Sequence, residues 1–139
     1  MIRIEIVKWQ DKEALIRSIR EAVFIGEQNV PVELEWDGLD KQCTQLLAFS
    51  GDEVVGTARM TVEGKIGRMA VLKPWRGLGV GSELLKTVIA TAREASLSKV
   101  ELDAQVYAIP FYQRFGFEMV SDLFMDAGIE HRKMVLALA

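Results

Sequence analysis

Cysteine and histidine are nearly absent from this chain of 139 residues, which holds one of each, Cys43 and His131. A lone cysteine excludes an internal disulfide framework and every multi-cysteine zinc pattern, and a lone histidine excludes sites built from two. With no repeat, linker or low-complexity tract, disorder is excluded as a description of the whole chain. No run approaches the roughly 18 apolar residues of a membrane-spanning helix. The first residues, MIRIEIVKW, alternate charged with apolar side chains and lack the apolar stretch of a secretory signal. A single free thiol in such a chain suits a reducing compartment, so a cytoplasmic location is expected. The net charge of −3 gives no general grip on nucleic acid or anionic membrane, and neither is expected as a partner.

Hydrophobic residues make up 50% and charged residues 27%, the balance of a globular protein. The length fits one domain, taken as residues 1–139, which can bury a core without disulfides or metal.

Ile2, Ile4 and Ile6 alternate with polar residues and predict a strand. Asp11 is suited to cap a helix that carries Leu15, Ile16, Ile19 and Val23 on one face and runs to about residues 25–26. Residues 27–42, with Pro31 and Gly38, read as irregular. Segments 46–49, 54–62 and 66–72 are strands joined by short turns, an antiparallel meander. An amphipathic helix carries Leu84, Leu85, Val88, Ile89 and Ala92, and a strand follows at Val100, Leu102 and Ala104. A short aromatic helix spans 110–115, and 120–124 with 133–138 predict a closing hairpin. The crossover between meander and later strand requires a parallel pairing. The expected fold is α+β: a mixed, mostly antiparallel sheet of about six or seven strands with helices on both faces.

The segment Arg76-Gly77-Leu78-Gly79-Val80-Gly81-Ser82 lies between a strand and a helix. Its alternating glycines leave backbone N–H groups uncovered, and the helix start adds unpaired N–H groups and a positive dipole end. Together these suit a phosphate or pyrophosphate. The segment lacks the lysine of a Walker A loop and the G-x-G-x-x-G spacing of a dinucleotide fingerprint.

That segment resembles the Q/R-x-x-G-x-G/A signature of the GNAT acetyltransferase superfamily. Ala108-Ile109-Pro110-Phe111-Tyr112-Gln113-Arg114-Phe115-Gly116-Phe117 resembles the same family's A-x-x-FY-x-x-x-GF block, and the two stand in the family's order. Val23-Phe24, Glu27-Gln28, Val30-Pro31, Glu33, Glu35 and Asp37-Gly38-x-Asp40, with Gly128-Ile129-Glu130-His131, look similar to its ElaA-like branch.

The resemblance implies an N-acetyltransferase that moves acetyl from acetyl-CoA, without a metal, directly to a primary amine. It implies cofactor contacts from the loop Arg76, Gly77, Leu78, Gly79, Val80, Gly81 and Ser82. Further contacts are implied from Met69, Ala70 and Val71 on the preceding strand, and from Gln105, Phe111 and Tyr112. Arg114 is a candidate for the 3′-phosphate of CoA. Tyr112 matches the tyrosine that protonates the departing thiolate; a phenol with pKa near 10 keeps its proton at neutral pH. An aliphatic amine, with pKa about 10.4, needs a proton acceptor. Glu27 and Glu33 are the leading candidates, with Glu35 and Asp103 beside them; Arg68 stands where some relatives carry an acid. His131 is a candidate base or substrate contact, and Glu35 and Trp36 are candidate substrate contacts. Cys43 has no histidine partner in view and is not expected to be a nucleophile.

Between Glu27 and Asp40 lie five acids and no lysine or arginine. This predicts an acidic mouth that draws a small basic amine or peptide terminus, with Trp36 adding a cation–π face. The partners expected are that acceptor and at most a second copy of the chain. Two other readings stay open at this level: an acyl-CoA-binding regulatory domain without turnover, and a nucleotide-phosphate binder.

Overall fold

The computed structural model describes residues 1–138. The elements are β1 (Ile2–Val7), α1 (Trp9–Arg20), a π-helical segment (Glu21–Glu27), α2 (Val32–Glu35), β2 (Thr44–Ser50), β3 (Glu53–Met60), β4 (Lys65–Val71), α3 (Val80–Glu94), β5 (Lys99–Gln105), α4 (Ile109–Gln113), β6 (Glu118–Met119), β7 (Phe124–Asp126) and β8 (Ile129–Ala137). The sheet runs in the order β1-β2-β3-β4-β5-β8-β6, with β7 also on β8. Every pairing is antiparallel except β4 with β5. The architecture is the expected mixed, mostly antiparallel sheet, with eight strands among the described residues rather than six or seven.

Strand β2 is buried on both faces because its side chains alternate between two cores. Leu46 and Ala48 join the large cluster under α3, while Leu47 and Phe49 pack with Trp9 and Ile16 of α1. Helix α3 lies close on the sheet because Gly56 has no side chain. A Cβ there would stand 3.1 Å from both the Ala70 carbonyl oxygen and Val80 Cγ1.

Three local expectations are corrected. Helix α1 starts at Trp9, ahead of Asp11, because the Lys8 carbonyl accepts the Asp11 and Lys12 N–H groups; no side chain caps it. Residues 27–42 contain the short α2 and a 3₁₀ turn at Asp40–Gln42, held mainly by side-chain bonds that periodicity does not register. The closing hairpin is β7–β8, turning at Ala127 and Gly128, both at positive φ; most of the expected strand 120–124 is loop.

Two departures from regular pairing open the sheet. Strands β4 and β5 pair at only two positions, Lys65 with Glu101 and Ile66 with Leu102. Beyond them they part, so the β5-facing edge of β4 from Gly67 to Val71 has no strand partner. The β3–β4 register also shifts between Thr57 and Arg59, and Arg68 takes a φ of +49° at this bulge.

Candidate active site

The gap between β4 and β5 widens into a cleft of about 410 Å³. Its walls include Gly67, Arg68 and Met69 of β4, Asp103 and Gln105 of β5, and His131 of β8, with Tyr112 on α4. Gln28, Glu35 and Asp37 line it from the segment after α1. Residues opposite one another on neighbouring strands share a face of the sheet. Gln105 is in register with His131 and Asp103 with Lys133, which brings these side chains to one face.

At the α3 end, the glycine loop has the form its sequence suggests. Gly79 precedes the helix at φ +88° and Gly77 has φ +76°, and a Cβ on either would meet nothing within 4 Å. No side chain among the described residues caps α3, so its first N–H groups have no side-chain acceptor. Gly81 lies against Phe111, whose ring carbon would stand 3.6 Å from an added Cβ. Val80 turns inward and is core. Leu78 is exposed.

The Arg76 side chain points away from a phosphate role. Its Nη1 and Nη2 donate to the two Glu27 carboxylate oxygens at 2.6 and 2.8 Å, and Nε donates to the Val71 carbonyl at 2.9 Å. The guanidinium straps the loop to the π-helical segment. The Arg76 hydrogen bonds also hold the Glu27 carboxyl below its usual range. This corrects Glu27 as base: it is already paired, and it does not line the cleft.

The acidic mouth is corrected too. Arg20 Nε donates to Glu35 at 2.6 Å and Nη1 to Asp40 at 2.6 Å. Arg59 donates to Asp37 and Asp40, and Arg68 to Asp37 and the Leu34 and Glu35 carbonyls. Three arginines from α1, β3 and β4 answer three of the five acids. Burial works against Asp37 and Asp40, yet Arg59 and Arg20 hold both carboxyls below the usual range. Burial pushes the Glu35 carboxyl up against the pull of Arg20 and Arg68. Trp36 offers no free ring: the Arg17 and Arg20 guanidiniums lie 4.4 and 4.7 Å from its centre. Glu33 is exposed on α2 and outside the cleft.

Tyr112 faces the cleft, edge-on to Phe111 and Phe117. Burial pushes its phenol up to about 12, so it keeps its proton. Met69 lines the cleft, whereas Ala70 is buried against α1 and the π-helical segment. Gln105 Nε2 donates to Gln28 Oε1 at 2.9 Å, a bridge across the cleft. Arg114 lies over the Phe111 ring at 5.9 Å. Burial pushes the Cys43 thiol up, away from nucleophilic thiolate.

Composition and spacing give no sign that Gln28 lines the cleft or that Arg20, Arg59 and Arg68 pair with the loop acids. Arg20 carried a usable signal: it sits four residues beyond Ile16 on the apolar stripe of α1, where a cation needs a buried counter-charge.

A parted parallel strand pair beside a glycine loop at a helix start is the frame of an acyl-CoA-dependent acyltransferase, and the comparisons agree. The family model described as Acetyltransferase (GNAT) domain matches residues 11–138. The chain is 38% identical over 121 residues to YjcF of Bacillus subtilis strain 168, described as an uncharacterized N-acetyltransferase, covering 84% of this chain and 86% of that protein. It is 32% identical over 143 residues to ElaA of Escherichia coli K12, covering 90% and 93%. The crystal structure of E. coli ElaA superposes with a TM-score of 0.87 at 30% identity over 97% of this chain and 99% of that one. An acyl-CoA N-acyltransferase from Pseudomonas aeruginosa gives 0.85 at 28% identity, over 97% and 99%. The chain belongs to the GNAT acetyltransferase family. Within that family it falls on the ElaA-like branch.

Proposed function

We propose that this acyltransferase, working as one N-acetyltransferase domain, moves the acetyl group of acetyl-CoA directly to a primary amine. The observation that carries the reading is the parting of β4 from β5 beside the uncovered glycine loop. The free edge of β4 from Gly67 to Val71 offers backbone partners to the extended amide arm of CoA. The loop 77–81 and the first turn of α3 offer N–H groups to its pyrophosphate. Thioester and amine then meet beside Tyr112, which protonates the leaving thiolate. Holding both reactants in one cleft lowers the barrier chiefly by orientation. A backbone N–H of β4 near Ala70 or Val71 polarises the thioester carbonyl.

Arg76 and Glu27 act here as a strap that positions the loop. Phe111 supports the loop from beneath Gly81, and Gln105 reaches the acyl arm from its place opposite Gln28. The working location is the cytoplasm, where acetyl-CoA is available. Calorimetric titration with acetyl-CoA, repeated with excess ATP, followed by thiol release over a panel of primary amines, tests the reading. Saturable binding that ATP does not displace, followed by amine-dependent release of CoA, is the expected result. Binding without release from any amine would favour a regulatory CoA-binding domain, and displacement by ATP a nucleotide site.

A further inference from the structure

Lining the cleft, Asp103 has one carboxylate oxygen without a partner among the described residues. Oδ2 lies 3.0 Å from Lys65 Nζ, while Oδ1 is buried and accepts no hydrogen bond. A buried carboxylate oxygen without a donor is costly. The other acids on the cleft wall differ: Glu35 and Asp37 are paired with arginines, and Asp126 sits at the exposed rim.

His131 stands one paired position further along the same face, opposite Gln105. Its Nδ1 lies 2.7 Å from the Ile129 carbonyl oxygen, which can only accept, so Nδ1 carries a proton. The ring is stacked on Phe124, with centroids 5.9 Å apart. In the neutral imidazole the remaining nitrogen, Nε2, is a bare acceptor. It has no protein partner among the described residues, and the residue is 8% exposed on the cleft wall.

We propose that Asp103 Oδ1 binds the acceptor as a primary ammonium ion and that His131 Nε2 receives its proton. The inference rests on the acyltransferase reading and moves amine recognition from the loop acids to the β5–β8 face. One proton passes from the ammonium to His131 and on to solvent. The freed lone pair forms the C–N bond at the thioester carbon. The C–S bond breaks as the thiolate takes the Tyr112 hydroxyl proton, and the second nitrogen proton returns to the tyrosinate. Lys65 competes with the ammonium for Asp103 and weakens its hold.

The test uses butylammonium as probe, titrated by NMR into the CoA-saturated protein, with 1-pentanol as the neutral control. Saturable binding of butylammonium alone is expected, weakened about tenfold to a hundredfold by Asp103→Asn, the loss of one charge-assisted bond. Lys65→Met, at a half-exposed position, tightens it several-fold. A purely structural Asp103 would not reverse sign in this way. His131→Gln leaves probe binding intact and lowers kcat with amines by about 10²–10⁴. Equal binding by wild type and Asp103→Asn, or no binding by wild type, overturns the anchor. Equal kcat in His131→Gln overturns the base. Failure of CoA itself to bind overturns the acyltransferase reading instead.

Discussion

Arg20 and Glu35 form an ion pair that solvent hardly touches: Nε to Oε2 is 2.6 Å, with the side chains 0% and 3% exposed. The same guanidinium reaches Asp40 Oδ1 at 2.6 Å and the Glu35 carbonyl at 3.1 Å. One α1 residue thereby fixes both ends of the loop that walls the cleft. Arg20→Met takes the shortest ion pair from two buried carboxylates, leaving Glu35 only Arg68 and Asp40 only Arg59. The expected loss is about 3–5 kcal/mol. Thermal unfolding should drop by roughly 10–20 °C. A change of only a degree or two would show that this network carries little of the stability.

The same network sets the acid limb of stability. Asp37 titrates below the ordinary aspartate range in the folded protein, so its contribution is full above the unfolded pKa, near 3.9. It fades as pH falls below that value toward the folded one. The melting-temperature gap between wild type and Asp37→Asn should be widest near neutral pH and shrink below about pH 4. A gap that stays constant to acid pH would contradict the assignment.

Much of this frame was legible in the chain. Glycine alternation at 77–81, the period of Leu84 to Ala92 and the order of strands are local patterns, and local patterns survive folding. The role of the acids at 27–40 was not legible, because their partners Arg20, Arg59, Arg68 and Arg76 lie outside that window. Composition shows a charge, and only the fold shows what neutralises it. Trp36 follows the same rule, since Arg17 and Arg20, which lie over its ring, also stand outside that window. The early parting of β4 from β5 was equally hidden, since that pairing joins residues more than 30 positions apart.

Loop chemistry can be tested without unfolding the loop. Gly79→Val would strain a backbone held at φ +88°, confusing stability with binding. Asparagine tolerates positive φ better than most residues, so Gly79→Asn fits the backbone and fills the open space above the loop. It should raise the CoA Kd about tenfold or more, the loss of roughly one strong hydrogen bond, with little change in melting temperature. Unaltered affinity in the folded variant would remove the loop from the binding site.

Tyr112→Phe keeps the edge-on contacts with Phe111 and Phe117 and deletes only the hydroxyl. The rate of CoA release should fall about 10²–10⁴-fold. CoA affinity should hardly change. Full activity would leave the tyrosine a packing residue.

Transfer itself is followed most directly with isotope. The protein is incubated with acetyl-CoA labelled with ¹³C in the acetyl group and a panel of primary amines, and the products are read by mass spectrometry. Direct transfer predicts labelled N-acetyl amide and free CoA in equal amounts, with no labelled protein. Label held on the chain, or CoA released without any labelled amide, would contradict it.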